Sequence, residues 1–323
     1  MSIVGQTKTF VTKRILASVK PKQQTLFAFG MQALTFTPYA SLGSNARLII
    51  QNTATAASKI YRVVSNPTIV SNFPRLVRLS GLVQKASLVN VDFSTFCGFQ
   101  TLCFGVQTGA GRAIPVWNNC ITYPIKFVGS QNQFVLEEIK KFGTCLGFYP
   151  RFVFDRGFWI PVVMKFLLKK KVLLYLRIKK GQTFTWCEKG KRQQAKTIGL
   201  HTKDAAITLF GYKMRLIISP PPPKQTNPKK QQNTQRWYII TNDLTASREE
   251  ILAMYATRFE IEEVFKDYKH IQNLKALRIK EKKTFTILLW FASLAFWIAW
   301  WIKGTRATPP VHPKKKRSFF RIF

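Results

Sequence analysis

Acidic residues are scarce in this chain: 14 Asp and Glu stand against 51 Lys and Arg, and the formal net charge is +37. A positive charge of this size favours binding to a polyanion, because cations that meet phosphates release condensed counterions. Aromatic residues make up 14% of the chain and hydrophobic residues 46%, which indicates a packed globular protein. The composition therefore disfavours a ribosomal or architectural protein that only coats nucleic acid.

Cysteine and histidine are also few. The five cysteines are odd in number and form no Cys-x-x-Cys pair, so neither a disulfide framework nor a zinc ribbon is expected. We interpret them as reduced thiols of a cytoplasmic protein. With three histidines, a histidine-rich metal site is not expected either. Any metal would have oxygen ligands, which favours Mg²⁺ or Mn²⁺.

Long hydrophobic runs are rare. The first 20 residues are polar and basic without a sustained apolar stretch, so no signal peptide is expected. The exception is 285–302, an almost uncharged run with Lys282, Lys283 and Lys303 at its flanks. Its length and polarity allow a membrane-spanning helix, and a buried helix packed on a sheet explains it equally well. We expect the buried helix and no membrane partner, with a membrane-anchored basic protein as the alternative.

Two of the five Asp residues interrupt apolar, strand-like runs. Asp92 lies in Ser-Leu-Val-Asn-Val-Asp-Phe, and Asp155 lies in Arg-Phe-Val-Phe-Asp-Arg-Gly-Phe. A carboxylate in such a place is costly unless it is paired or coordinates a metal. A third acid, Glu262, is predicted on a helix among cations. Three such acids in a chain that attracts anions predict a divalent-metal site that acts on phosphate, as in a DNA-cutting enzyme.

Glu262 shares its predicted helix face with side chains suited to phosphate. Steps of 3, 4 and 7 residues separate Tyr255, Arg258, Glu262 and Lys269. At about 100° per residue these four fall within an arc of about 60°. We expect the other acids of this helix to be ordinary surface charges: Glu260, Glu263 and Asp267. The alternative is a salt-bridged surface stripe in which Arg258 and Glu262 form an i,i+4 pair.

The order of predicted elements indicates an α/β fold. Three β-rich runs come first, at 87–94, 100–107 and 113–120, and helix, strand, helix and strand follow up to 178. A β-rich segment is inserted next, and the capping box Ser247-x-x-Glu250 then opens a long helix. This order is that of a ribonuclease-H-like catalytic core, in which Asp92 and Asp155 end neighbouring strands.

We divide the chain accordingly into four segments. The first, 1–80, is a mainly helical N-terminal DNA-binding region. The segment 81–180 is the first part of the ribonuclease-H-like core, and 181–244 is the β-rich insertion. The last, 245–323, holds the second part of the core and a basic C-terminal tail.

The helix motif resembles that of a known family. Tyr255-x-x-Arg258-x-x-x-Glu262, with Lys269 seven residues further on, matches the Tyr-Arg-Glu-Lys signature of bacterial insertion-sequence transposases of the DDE type. These form the insertion-sequence-four-like family. The resemblance predicts an enzyme that cuts and joins DNA at the ends of a mobile element.

Further motifs carry the same resemblance. Asp155-Arg156-Gly157-Phe158, followed by Tyr175-Leu176-Arg177, resembles the second-Asp region of that family. Asp92-Phe93-Ser94-Thr95 is similar to the first-Asp region. Arg317-Ser318-Phe319-Phe320-Arg321 is similar to its C-terminal element. The resemblance therefore extends over about residues 25–321.

The resemblance and the residues together imply the following site. The catalytic residues and metal ligands are Asp92, Asp155 and Glu262, which would hold two Mg²⁺ ions, with Mn²⁺ as a substitute. The DNA-binding residues are Tyr255, Arg258, Lys269, Arg156 and Arg177. The partners are double-stranded DNA at the terminal inverted repeats and target DNA, bound by a homodimer. We expect the protein in the cytoplasm, associated with the bacterial nucleoid.

Two alternatives stay open within this frame. One is a metal-dependent nuclease of the same fold that cuts without joining. The other is a decayed, C-terminally truncated DNA-binding copy without activity, because the chain ends at Phe323, shortly after the C-terminal element.

The net charge generates a first prediction. DNA affinity should fall steeply with salt, with a log–log slope of several units, since several Lys and Arg must displace counterions. A fluorescence-anisotropy titration of labelled DNA over a series of NaCl concentrations measures this slope. A flat salt response would show that the positive charge serves something other than nucleic-acid binding.

Overall fold

A computed structural model describes residues 66–122, 130–221, 236–270 and 279–305, with 58, 62 and 274 as single positions. Most of the predicted N-terminal region, 1–80, and the whole C-terminal element, 317–321, lie outside these residues. The described part of the chain is a mixed α/β protein with a large mixed sheet. The predicted order β-β-β-α-β-α-β between 87 and 178 is confirmed.

The bounds of the elements are as follows. The helices are α1 (Pro67–Ser80), α2 (Gln131–Leu146), α3 (Pro161–Lys169), α4 (Ala195–His201), α5 (Arg248–Ala256), α6 (Glu260–His270) and α7 (Lys282–Thr305). The strands are β1 (Leu88–Phe96), β2 (Phe99–Val106), β3 (Ile114–Thr122), β4 (Arg151–Phe154), β5 (Leu174–Arg177), β6 (Thr183–Trp186), β7 (Lys191–Gln194), β8 (Asp204–Leu209), β9 (Tyr212–Ile218) and β10 (Tyr238–Thr241). Turns of 3₁₀ type, Arg156–Phe158 and Thr257–Phe259, precede α3 and α6.

The chain divides into two compact units. The first contains Met1–Ser87, Asp92–Tyr149 and Phe259–Phe323, and the second contains Leu88–Val91 and Pro150–Arg258. Strands β6 to β9 all lie within the segment 181–244, for which we expected β structure. The four predicted domain segments stay a prediction.

The sheet of the second unit starts from hydrophobic parallel strands. The first four residues of β1 run parallel to β4, and β4 runs parallel to β5. From β5 the sheet continues with antiparallel pairing through β10, β9, β8, β6 and β7. Strands β4 and β5 are almost wholly buried. Near-continuous apolar runs of this kind are typical of parallel strands that are covered on both faces.

Helix α7 provides much of the core of the first unit. The indole N–H of Trp297 donates a hydrogen bond to the carbonyl of Pro115 on β3, at 2.6 Å. By length and hydropathy the stretch Lys282–Trp300 meets the criteria for a membrane span, yet 78% of its most apolar window is buried inside the protein. This burial fits the interpretation of the run 285–302 as a core helix.

The long helix that we predicted after Ser247 is interrupted, and this corrects the sequence interpretation. The capping box is confirmed, but α5 ends at Ala256 and the 3₁₀ turn separates it from α6. The Thr257 hydroxyl donates to the Met254 carbonyl at 2.7 Å, a local bond that competes with regular helix. Tyr255 and Arg258 therefore precede α6, and the predicted signature residues do not share one regular helix face.

Gly105 on β2 has no side chain, and the start of α6 packs against the space that a side chain there would fill. The pairing of β2 with β3 shifts register between Phe104 and Gly105. A Cβ atom added at Gly105 would lie 2.9 Å from the Cβ of Ala113 and 3.6 Å from the Cδ1 of Ile261. A contact between two Cβ atoms is hard to relieve, because each is fixed to backbone. Gly105 therefore helps to position the helix that carries Glu262.

This packing predicts that Gly105→Ala destabilises the protein by about 1–3 kcal/mol, the usual cost of overpacking a core. Urea unfolding followed by circular dichroism measures the change. Gly157→Ala is the matched control, since an added Cβ there meets nothing within 4 Å. Equal stability of the two variants would contradict this account of Gly105.

Candidate active site

In the second unit, Asp155 lies where a buried parallel strand ends. The register of β1 with β4 runs from Leu88↔Arg151 to Val91↔Phe154, and Asp155 is the next residue of the chain. Its side chain is 36% exposed, whereas the three preceding residues of β4 are buried. The carboxylate is therefore supported by the strand and still reaches solvent.

Two buried side chains contact the Asp155 carboxylate. The Tyr255 hydroxyl donates to its Oδ1 at 3.4 Å and lies 3.5 Å from the carbonyl of Phe154. Arg258 Nε lies 4.0 Å from the same Oδ1. Burial raises the pKa of Tyr255, so its hydroxyl stays protonated and remains a donor. The structure thus brings Asp155, Tyr255 and Arg258 together within one unit.

This placement differs from the DNA contacts that we predicted for Tyr255 and Arg258. Tyr255 is fully buried and Arg258 is 4% exposed, so neither presents its polar group at the surface. The physical reason is the 3₁₀ turn, which ends the regular helix on which the surface stripe was predicted. In this structure the two residues position Asp155.

Asn90 holds the 3₁₀ turn and was missed in the sequence. Its side chain on β1 is fully buried. The amide donates to the carbonyl of Arg258 at 3.3 Å and lies 3.5 Å from that of Thr257. These are carbonyl groups at a helix end, which need donors. An Asn inside an otherwise apolar strand was the available signal, since a buried amide needs hydrogen-bond partners.

Arg156 and Arg177 also lie in the second unit. Arg156 is exposed and begins the 3₁₀ turn directly after Asp155, and Arg177 is half-buried at the end of β5. Both line one pocket of the second unit. Their predicted contact with the DNA backbone stays a prediction, and their exposure is compatible with it.

In the first unit, Asp92 is half-buried and lies inside β1, which continues to Phe96, so the prediction that Asp92 ends its strand is wrong. The strand continues because β1 still pairs within the sheet and Phe96 is buried. Its Oδ1 accepts a hydrogen bond from the backbone N–H of Phe93 at 2.8 Å. Burial raises the pKa of the Cys103 thiol, and the negative charge of Asp92 raises it further. Burial is the larger of the two causes that keep Cys103 a neutral thiol, and the charge of Asp92 adds to it.

Glu262 and Lys269 belong to α6 of the first unit, and that helix packs on β1. The ring of Phe96 lies 6.1 Å from that of Phe265, and the Lys269 Nζ lies 5.2 Å from the centroid of the Phe96 ring. Strand alternation puts Asp92 on the same side of β1 as Phe96. Glu262, Phe265 and Lys269 are spaced by 3 and 4 residues and share one helix face. The helix face with Glu262 thus packs against β1 at Phe96.

The other acids of α6 are not the surface charges that we predicted. Glu260 is buried and accepts hydrogen bonds from the backbone N–H groups of Thr108 and Gly111, at 2.8 and 2.9 Å. Arg112 Nε lies 2.8 Å from Asp267, and its Nη1 lies 3.3 Å from Glu263. These contacts clamp the β2–β3 loop onto α6. These three acids do lie on a different face of α6 from Glu262, as the helical spacing predicted. That face is covered by the β2–β3 loop and is not exposed to solvent as a whole.

The candidate metal ligands do not form a recognisable cluster. Among the described residues, no group of three or more His, Cys, Asp or Glu side chains is placed to hold a metal ion. Asp92 and Glu262 lie in the first unit, and Asp155 lies in the second. Their donor chemistry does fit a hard divalent ion, because all three offer carboxylate oxygens.

The contacts of Asn90 predict a local loss of structure. Asn90→Ala leaves two buried carbonyl groups without their donor, which should cost about 1–3 kcal/mol and expose the peptide bond after Arg258 to trypsin. Limited proteolysis with mass spectrometry measures cleavage at that bond, and urea unfolding measures stability. Asn132→Ala on the exposed side of α2 is the control. Equal cleavage in both variants would show that Asn90 does not hold the turn.

The comparisons with known proteins bear on these residues. The family model described as "Transposase DDE domain" matches residues 135–298, which is about half of the 323-residue chain. The matched stretch includes Asp155, Tyr255, Arg258 and Glu262. No curated protein matches the chain. The chain therefore belongs to the transposase DDE-domain family.

Proposed function

We propose that this protein is a DNA transposase that cuts and joins DNA at the ends of an insertion sequence. Family membership supports DNA transposition in general, and the net charge of +37 supports binding to DNA. The finer assignments belong to the proposal: a ribonuclease-H-like core, the insertion-sequence-four-like family and its Tyr-Arg-Glu-Lys signature. The proposal also includes a homodimer that binds the terminal inverted repeats and is associated with the nucleoid in the cytoplasm.

The observation that carries the proposal is the parallel register of β1 and β4. Val91 pairs with Phe154, and the residues that follow them in the sequence are Asp92 and Asp155. In the proposed site, the two carboxylates that directly follow this parallel pairing act together. The packing of α6 on β1 around Phe96 supports Glu262 as the third member of this set.

The metal belongs to the proposal as well, since the family generally uses divalent metal ions. Asp92, Asp155 and Glu262 would hold two Mg²⁺ ions, for which Mn²⁺ can substitute, and their all-oxygen donor set suits both ions. When bound, such ions activate water or a DNA 3′-hydroxyl and stabilise the leaving oxygen. Three carboxylates balance much of their charge.

The remaining residues of the site position these groups or bind phosphate. Tyr255 and Arg258 orient the Asp155 carboxylate, because they contact it from a buried side. Lys269, held over Phe96, contributes positive charge on the helix face of Glu262. Arg156 and Arg177 contact the DNA backbone. Phosphoryl transfer needs little covalent help from protein, so positioning and charge provide most of the rate.

The proposal predicts metal-dependent cleavage. A plasmid carrying the element's own ends should be cut with Mg²⁺ or Mn²⁺ and spared in EDTA or with Ca²⁺ alone, because Ca²⁺ lacks the tight octahedral geometry of Mg²⁺. Gel electrophoresis separates cut from uncut plasmid and shows strand-transfer products. Cleavage that persists in EDTA would contradict the metal site, and cleavage without strand transfer would favour a nuclease of the same fold.

The catalytic role of Glu262 predicts a separable loss. Glu262→Gln should reduce cleavage by more than about 100-fold, because it removes a metal ligand, while DNA binding stays intact or becomes slightly tighter. Cleavage and anisotropy measurements on the same preparation separate the two effects, and circular dichroism checks folding. Asp92→Asn and Asp155→Asn should behave alike.

Glu249→Gln is the control for this comparison. Glu249 lies in the first turn of α5 with its side chain 74% exposed, and it loses the same charge on substitution. Glu263 is a poorer control, because its carboxylate contacts both Arg112 and Lys266, whereas the exposed Glu249 carboxylate contacts the neighbouring Arg248. A Glu262→Gln variant that cuts as fast as the Glu249→Gln variant would exclude Glu262 as a catalytic residue.

A further inference from the structure

A pocket of about 740 Å³ in the second unit is lined by cations. The cationic side chains are Arg156, Arg177, Lys179, Lys180 and Arg236. No acidic side chain of the described residues lines it. We call this the basic pocket. Because Arg156 follows Asp155 directly, the basic pocket begins beside the candidate catalytic carboxylate.

Three of the cations in the basic pocket are not balanced by carboxylates of the described residues. Within the described part of the chain, Arg177, Lys179 and Lys180 form no ion pair with an acid. The sequence 219–236, which connects β9 to β10, contains Lys and Arg but no Asp or Glu. Like charges gathered in one concave site repel one another and raise the local concentration of anions. The pocket is therefore suited to an anionic ligand.

The backbone beneath these cations is fixed by hydrogen bonds. The turn after β5 is closed by Gln182 N–H donating to the Lys179 carbonyl at 3.0 Å. Two hydrogen bonds join this turn to the start of α4. The Ala195 N–H donates to the Gln182 carbonyl at 2.8 Å, and the Lys196 N–H donates to the Lys180 carbonyl at 2.9 Å. Lys179 and Lys180 stay exposed on this frame. The charges are thus presented from a preorganised site, which lowers the entropic cost of binding.

Arg236 faces the same pocket from another strand connection. Its Nε donates to the Ser219 carbonyl at 2.9 Å, which leaves the rest of the planar guanidinium to present further donors. Arg177 is held on β5, where Ile239 is its partner on β10. Guanidinium groups bind phosphate oxygens with two parallel hydrogen bonds. A cluster of arginines and lysines is therefore suited to oxyanions, phosphate among them.

We propose that the basic pocket binds the backbone of one DNA strand through at least two neighbouring phosphates, next to the phosphate that is cut. A pocket of this volume is in the range that holds small ligands, so it suits a length of single strand and is too small to enclose a duplex. The identity of the anion as DNA rests on the proposed function. The preference for an anionic ligand rests on the cations of the pocket alone.

The test compares paired charge removals. In Lys179→Gln/Lys180→Gln two cations of the pocket are lost, and in Lys169→Gln/Lys170→Gln two exposed lysines at the end of α3 are lost. Affinity for a labelled single-stranded oligonucleotide is measured by anisotropy over a salt series in EDTA. The pocket variant should lower the log–log slope by about 1.4, which is two phosphate contacts on a single strand. The control variant should leave the slope unchanged.

Equal changes in the two variants would overturn the proposal, because they would show a general effect of charge. A second arm uses inorganic phosphate as competitor against chloride at the same ionic strength. One free phosphate can replace only one of at least two contacts, so the proposal expects weak extra displacement of the oligonucleotide. Displacement by phosphate as complete as that by unlabelled oligonucleotide would assign the pocket to a small free anion. The binding assay contains EDTA and does not depend on cleavage. A protein that binds the oligonucleotide through the pocket but never cuts DNA would therefore contradict the proposed function and leave the pocket proposal intact.

Discussion

The parallel pairing of β1 with β4 is the constraint on which the candidate site depends. Both are apolar runs, and hydrophobic burial holds their register, since a slip by one residue would exchange the two faces of the strand. The paired stretch ends at Val91 and Phe154. An acidic side chain within the buried, paired stretch would lose its hydration. Asp92 and Asp155 each follow directly on this paired stretch, and their side chains are half-buried rather than buried.

A chain with so few acids uses several of them as structural hydrogen-bond acceptors. Glu260 binds the β2–β3 loop, and Glu138 accepts the indole N–H of Trp117 at 2.8 Å while only 1% exposed. Burial alone would raise the pKa of Asp243, yet hydrogen bonds from backbone N–H groups and the Tyr175 hydroxyl lower it to about 2. The oxygens of these acids already accept hydrogen bonds within the protein. Charge scarcity alone therefore does not identify a catalytic acid, and its position relative to the sheet is needed.

The interruption between α5 and α6 changes the roles within the signature. It turns Tyr255 and Arg258 towards Asp155, whereas Glu262 and Lys269 stay on the regular helix. The four signature residues thus divide into two pairs. Tyr255 and Arg258 contact the Asp155 carboxylate, and Glu262 and Lys269 lie on α6. The proposed contacts with the DNA backbone involve Arg156 and the other cations of the basic pocket.

The sequence by itself determined the strands, the capping box at Ser247 and the unusual positions of Asp92 and Asp155. These depend on local properties: apolar periodicity, side-chain capping and the cost of burying charge. Only the tertiary structure decided that Asn90 holds the 3₁₀ turn, that Glu260 is buried and that five cations share one pocket. Each of these depends on which distant segment packs against a residue, and no local pattern encodes that partner.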